Sequence, residues 1–215
     1  RMAINVVLTM LNWGVGQEYI PSHRLKGFKK PPEGVREATL SPDEVDKVLA
    51  AVDDKDPFKD FLLALKLTGA RPSELRRVTA ADLRDGTWVL KVHKNSKKTA
   101  EPRVIYLTPE VEAMARRLAA KHSEGPIFRN GRYGTPWSSA GIEQRFWKLQ
   151  AKLGFTVSSY LFRSYYCTEG LKRGVDVAHM SALLGHKSTA MVMRHYNRIS
   201  DDIQHMRDMA SRAIG

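Results

Sequence analysis

Residues 68–75 read Thr68-Gly69-Ala70-Arg71-Pro72-Ser73-Glu74-Leu75. Thr68-Gly69-Ala70 interrupts an apolar helical run, and Pro72, with its fixed φ and missing N–H, suits the first turn of a short helix reaching about Val78. Arg71 therefore stands at a helix start, where a guanidinium opposes the positive end of the helix dipole. Two readings answer that conflict. Either Arg71 and the helix end share an external anion, or Arg71 pairs with Glu74 on the same helical face, an exposed pair of this kind being worth about 1 kcal/mol or less.

Outward from this stretch, Ser41-Pro42-Asp43-Glu44 has Ser at an N-cap, Pro at the first helical position and Glu three residues after Ser. This capping box predicts a helix to about Val52. Asp56 repeats the device before Phe58, Phe61, Leu62, Leu65 and Leu67, which form one apolar face of a helix over 56–67. Beyond residue 87 the period changes. Trp88 to His93 and Arg103 to Leu107 read as two strands, joined by a long basic loop from Lys94 to Pro102. From Pro109 onward helices are predicted at about 109–122, 139–152, 160–173, 175–184, 188–198 and 200–213, punctuated by glycines such as Gly125, Gly154 and Gly185. The fold class is mainly α with a small antiparallel β-sheet (α+β), and no repeat period is visible.

At the N-terminal end, Ile4, Val7, Leu8, Leu11 and Val15 recur at helical spacing, predicting an amphipathic helix over 2–19 that lacks partner helices. The pattern lapses from Tyr19 to Ala38 into Pro21, His23, Arg24, Lys26, Lys29, Lys30, Pro31, Pro32 and Gly34, a basic linker stiffened by its prolines. The expected organisation is a helix at 1–20, a linker at 21–38 and a main domain at 39–215. Because the chain opens on Arg1 and not Met, further sequence on the N-terminal side is expected. The longest apolar-rich stretch, Ala3 to Trp13, is about half of the roughly 20 residues a spanning helix needs, and it lacks the features of a signal peptide. No membrane association is expected.

Composition narrows the classes further. The 215 residues carry 35 Lys+Arg against 23 Asp+Glu, a formal charge of +12, in a chain that is 42% hydrophobic. Such apolar content supports a core and excludes extended disorder, and 15 Gly with 10 Pro and no period exclude a collagen-like chain. Cys167 stands alone, so no intrachain disulfide can form and the chain suits a reducing compartment. The charge points toward a polyanion, with DNA, RNA and acidic lipid all open on composition alone.

Motifs for cofactor chemistry are missing: there is no Cys/His ligand spacing, no His-Glu-x-x-His, no Walker loop and no Gly-rich strand-to-helix turn. No cofactor and no metal are expected. What remains is a set of Arg, His and Tyr residues near element ends. Arg163 lies in Tyr160-Leu161-Phe162-Arg163-Ser164-Tyr165-Tyr166, where a charge requires a structural partner or a phosphate. His186 follows Leu183-Leu184-Gly185, and Tyr196 comes ten residues later in Met191-Val192-Met193-Arg194-His195-Tyr196. Taken singly, a His after Gly reads as a capping group and a Tyr on a helix as core. Their combination is far less common.

The four stretches Thr68-Gly69-Ala70-Arg71-Pro72-Ser73-Glu74-Leu75, Tyr160-Leu161-Phe162-Arg163, Leu184-Gly185-His186-Lys187-Ser188 and Tyr196, in this order and spacing, resemble the tyrosine recombinase (phage integrase) family. The resemblance runs from Thr39 to the C-terminus and implies that family's catalytic-domain fold, with a small three-stranded antiparallel sheet. Residues 1–20 look like the last helix of its core-binding domain.

The resemblance implies a recombinase that cleaves and rejoins double-stranded DNA through a 3′-phosphotyrosyl intermediate, without metal, for integration and excision of a mobile element. Tyr196 would be the nucleophile, Arg71 and Arg163 the clamps on the scissile phosphate, His186 a hydrogen-bonding or proton-moving partner, and Glu74 the support of Arg71. Lys94 would protonate the departing 5′-oxygen, with Lys97 and Lys98 competing for that role. Guanidinium suits the clamp because it grips two oxygens at once. A free tyrosine of pKa near 10 is only about one part in a thousand ionised at neutral pH, a deficit of roughly 4 kcal/mol, so Arg71, Arg163 and His186 would supply a field favouring the phenolate.

The chain departs from the family in having Tyr160, a hydrogen-bond donor, where His is usual, and Ser164 just after the second Arg, where His is common. His195 beside the nucleophile has no assigned role. DNA-backbone contacts are expected from Arg24, Lys26, Lys29, Lys30, Lys97 and Lys98. The turn Arg129 to Tyr133 reads either as a plain surface turn or as a phosphate contact. A dimer on each site, a tetramer at synapsis and a cytoplasmic, nucleoid-associated location are implied. The C-terminal face of Ile203, Met206, Met209 and Ala213 would dock on its own domain or on a neighbouring protomer. Type IB topoisomerase-like relaxation and a non-catalytic DNA-binding protein on the same fold are the alternatives.

Overall fold

The computed structural model describes residues 2–30, 39–91, 102–200 and 202–214. The chain forms two units, Arg1–Glu37 and Ala38–Gly215. In the first, helix α1 (Met2–Gly16) ends earlier than the predicted 19, because the chain turns at Gly14: the amides of Tyr19 and Ile20 both return to the Gly14 carbonyl, at 2.9 and 3.4 Å, and Glu18 takes φ 62°. Leu25 and Phe28 fold back beside Ala3, Ile4, Val7 and Leu8, while Arg24, Lys26, Lys29 and Lys30 are exposed.

The second unit opens with the predicted capping box. The Glu44 amide donates to Ser41 Oγ at 3.2 Å, the Ser41 amide donates to Glu44 Oε2 at 2.8 Å, and α2 (Pro42–Ala50) buries Val45 and Val48. Helix α3 (Phe58–Thr68) starts two residues after the predicted Asp56. Its N-cap is Pro57, which offers no side-chain acceptor, and Asp56 Oδ1 takes the Phe58 amide from the preceding turn at 2.9 Å. The four-residue α4 (Pro72–Leu75) and a 3₁₀ turn (Ala80–Asp82) lead into a sheet of β1 (Leu83–Arg84), β2 (Thr87–Leu90) and β3 (Arg103–Tyr106), antiparallel in that order. Trp88 pairs with Ile105 and Leu90 with Arg103, so one face of the sheet enters the core. The strand predicted through His93 is described only to Leu90, and His93, Lys94, Lys97 and Lys98 lie outside the described residues.

The remaining elements are α5 (Pro109–Lys121), α6 (Ser139–Leu153), α7 (Ser159–Lys172), α8 (Val177–Leu184), α9 (Ala190–Ser200) and α10 (Ile203–Ile214). Helix α8 starts later than the predicted 175 because Asp176 caps it, its Oδ1 accepting the amides of Ala178 and His179 at 2.8 and 2.9 Å. Two apolar clusters organise this unit. The larger is built on rings with centroids 5.3 to 6.1 Å apart, in which Phe58 meets Phe61, Trp137 and Phe146, Phe128 meets Phe61 and Trp88, and Phe146 meets Phe162. It welds α3, the sheet, α6 and the front of α7. The smaller, of Cys167, Leu171, Met180, Leu184, Val192 and Ile199, joins the back of α7 to α8 and α9. Among the described residues, no helix is long and apolar enough to cross a membrane.

Candidate functional site

The two clusters meet beside Gly69. This residue ends α3 in the left-handed region at φ 59°, its amide donating to the Leu65 carbonyl at 3.1 Å, and the turn delivers Arg71 in extended backbone. Only glycine fits here: a Cβ would lie 2.5 Å from the Tyr166 ring. Glu74 then resolves the conflict at Arg71. Its Oε2 accepts the Arg71 amide at 2.8 Å and its Oε1 accepts Arg71 Nη1 at 2.7 Å. The carboxylate occupies the positive helix end, and the guanidinium is held against the carboxylate. The Glu74 side chain is 3% exposed and that of Arg71 18%, so this is a buried anchor carrying a partly open cation.

Arg163 crosses from α7 to the same place. Its Nη1 donates to the Gly69 carbonyl at 2.6 Å, and its Nη2 donates to the Leu184 carbonyl at 2.5 Å and meets His186 Nε2 at 2.9 Å. Burial, with the charges of Arg71 and Arg103 adding to it, lowers the Arg163 pKa to about 10, and the group remains a cation at neutral pH.

His186 is positioned by the end of α8. Gly185 adopts φ 63°, and the His186 amide reaches back to the Ser181 carbonyl at 2.9 Å, a glycine-ended helix stop. A guanidinium only donates, so Nε2 accepts from Arg163 and the ring proton resides on Nδ1, a buried atom with no hydrogen-bond partner among the described residues. Burial first, then Arg163, Arg71, Arg103 and His195, pull the His186 pKa down to about 4. The expectation that His186 adds positive charge is therefore corrected: the ring is neutral at pH 7 and contributes a donor.

Arg103 and Tyr166 also belong to this cluster, and neither was expected from sequence. Arg103 is 6% exposed and stands 3.8 Å, Nε to Oε1, from Glu74. Its position two residues before Ile105, on the inward side of β3, was the available signal.

The cluster thus joins Arg71, Glu74, Arg163 and His186, which are 92 residues apart from Arg71 to Arg163 in sequence. Tyr196 stands on α9, 42% exposed, on a helix packed against α7 and α8. Its neighbour His195 meets Thr168 Oγ1 at 3.4 Å and acts electrostatically on His186. Tyr160, at the start of α7, is 63% exposed and makes no bond to the cluster. Arg24, Lys26, Lys29 and Lys30 belong to the other unit. The Arg129 guanidinium staples its own turn, donating to the carbonyls of Pro126, Gly134 and Glu124, which fits the plain-turn reading.

A sequence model described as the phage integrase family matches residues 38–202. The tyrosine recombinase XerA of Saccharolobus solfataricus is 27% identical over 163 residues, 75% of this chain and 52% of that protein. The tyrosine recombinase XerC of Mesorhizobium japonicum is 33% identical over 126 residues, 56% of this chain and 40% of that protein. The chain spans about half the length of these relatives. Among solved structures, XerA recombinase superposes with a TM-score of 0.63 at 20% identity, covering 86% of this chain and 66% of that one. A lambda integrase(75-356) dimer bound to a COC′ core site gives 0.66 at 18% identity, covering 86% and 68%.

Proposed function

The chain belongs to the phage integrase family, and from that premise we propose that it is a site-specific recombinase acting on double-stranded DNA through a tyrosine-linked intermediate. The observation that carries this reading is the convergence of Arg71, held by the buried Glu74 carboxylate, and Arg163, held by the Gly69 and Leu184 carbonyls, with the neutral ring of His186 alongside. Two cations held by protein atoms on one side form a receptor for a phosphodiester. Their backbone and carboxylate partners fix them before substrate arrives, which is the condition for electrostatic stabilisation of a charge that grows in the transition state.

In the reaction, Tyr196 Oη attacks phosphorus and gives its proton to solvent water, forming the Tyr–O–P bond. The P–O5′ bond breaks, and the departing 5′-oxygen takes a proton from Lys94, Lys97 or Lys98. Arg71 and Arg163 neutralise the non-bridging oxygens, and His186, through its bond to Arg163, holds that guanidinium in place. Attack by a 5′-hydroxyl on the phosphotyrosine reverses these steps and rejoins DNA, so bond energy is conserved without nucleotide hydrolysis. Integration and excision of a mobile element is the proposed setting, in a nucleoid-associated, cytoplasmic protein. The basic groups Arg24, Lys26, Lys29 and Lys30 would follow the duplex backbone. The lambda integrase relative is a dimer on its core site; a dimer per site is proposed here, with a tetramer at synapsis.

The test is to sequence the DNA flanking the gene for inverted half-sites and to offer the protein a nicked duplex that carries them. It should trap a covalent protein–DNA complex, and Tyr196→Phe should abolish the complex while leaving DNA binding within about twofold. Binding without any adduct would instead support a DNA-binding protein on this fold. Adducts on any supercoiled DNA would support relaxation.

A further inference from the structure

Arg103 is a buried cation that the reaction above does not use. It sits on β3 at the register position paired with Leu90, on a face otherwise given to Trp88, Leu90 and Ile105. An arginine in such a place needs several acceptors. Its Nη1 donates to the Val104 carbonyl at 2.6 Å and more weakly to Ala182 at 3.5 Å, and its Nη2 donates to the Leu183 carbonyl at 2.6 Å. Its Nε, buried and without a hydrogen-bond partner among the described residues, faces Glu74 Oε1 across 3.8 Å.

Three consecutive carbonyls at the end of α8, those of Ala182, Leu183 and Leu184, therefore receive guanidinium groups, the first two from Arg103 and the third from Arg163. Cations at a helix C-terminus are favourable, and here they also fix the turn that presents His186. The fit at that turn is close: a Cβ on Gly185 would fall 2.7 Å from Arg103 Nε. Meanwhile Glu74 lies between Arg71 and Arg103, at 2.7 and 3.8 Å. One side chain thus touches both supports of the site, the Glu74 anchor of Arg71 and the α8 end that carries His186. It is rooted in β3, at the residue paired with Leu90.

We propose that Arg103 is a positioning residue for strand cleavage: from β3 it ties the Arg71–Glu74 pair to the His186 turn, so that the elements carrying these groups keep a common register. This rests on the recombinase reading given above. Arg103 touches no substrate and acts through Glu74 and the α8 carbonyls. Lysine would keep the charge but not the fork, since one ammonium cannot point along β3 and α8 together.

The experiment compares wild type, Arg103→Lys and Arg103→Met by three measurements on the full chain. Thermal unfolding reports the fold, the NMR titration of the His186 ring reports the turn in the free protein, and adduct formation on the nicked duplex with the flanking half-sites reports cleavage. The charged groups facing that ring are Arg163, Arg71, Arg103 and His195. Arg103→Lys is expected to stay folded, bind DNA within twofold of wild type and form adduct at least tenfold more slowly. Arg103→Met is expected to shift the His186 titration upward, because a facing cation is lost and the turn loosens. If Arg103→Met unfolds, Arg103→Lys decides. Adduct rates within twofold of wild type in the folded variants, with the His186 titration unmoved, overturn the proposal. So do rates that fall only in proportion to the unfolded fraction. If wild type forms no adduct on any DNA, the recombinase reading fails, while the His186 titration still decides whether Arg103 sets the turn.

Discussion

The Arg163 guanidinium donates to the His186 ring, Nη2 to Nε2 at 2.9 Å, and this bond fixes both the tautomer and the charge of the histidine. Protonating Nε2 would place two donors face to face beside three arginines. The ring is thereby kept neutral with its proton on Nδ1, which is buried and without a hydrogen-bond partner among the described residues.

Acid should therefore weaken the fold through His186. Its folded-state pKa, about 4, lies below the ordinary value of 6.5, so between these values the unfolded chain binds the extra proton. The contribution is complete above pH 6.5 and is lost as the pH falls toward 4, on the order of 1 kcal/mol once the partial exposure of the ring is allowed for. Urea unfolding at pH 7 and pH 4.5 should show a smaller acid loss for His186→Asn than for wild type. Equal losses would remove His186 from the account.

Glu74→Ala should be among the most damaging single changes at the site. It leaves the Arg71 amide without its acceptor and two neighbouring guanidiniums without their anion, and removing one partner of a buried pair costs about 3–5 kcal/mol. Glu74→Gln keeps a carbonyl oxygen for the amide and should cost less. The denaturant midpoints of the two variants check the order.

Gly69→Ala tests the steric argument at the end of α3. An alanine there meets the Tyr166 ring at 2.5 Å and takes φ 59°, a conformation costing roughly 1–2 kcal/mol for an L-residue even in open space. Combining it with Tyr166→Ala should relieve the clash and leave the backbone cost. A double-mutant cycle would then show coupling between the two positions of about 0.5–3 kcal/mol.

Cys167 should be inert in the folded protein. Burial raises its thiol pKa to about 12, with Arg163 opposing that rise, and the residue is 1% exposed. Alkylation by iodoacetamide at pH 8 should track global or local unfolding. Rapid stoichiometric labelling of the native chain would contradict the packing of the smaller cluster.

Sequence reading singled out Arg71, Glu74 and His186 beside helix-breaking glycines and Arg163 as a charge among aromatic residues, all of them local signals. The capping box at Ser41 was legible for the same reason. Arg103 escaped because its meaning depends on which face of β3 turns inward and on α8 arriving opposite, neither of which is local. The start of α8 was misjudged by two residues because Asp176 was not weighed as a cap. Strand β1, of two residues, is too short to carry a period, and only the resemblance implied a third strand. The seating of α9, the helix that carries Tyr196, on α7 and α8 is likewise a long-range property.

The Arg163 fork bridges the carbonyl of Gly69, at the end of one helix, and that of Leu184, at the end of another 115 residues later. The first belongs to the large aromatic core, the second to the small cluster behind α7. Competence is then a conditional property of the molecule: fraying of α8 and α9 alone would dissolve the receptor while most of the chain stayed folded. Anything that clasps those last helices to the core would protect the receptor against such fraying.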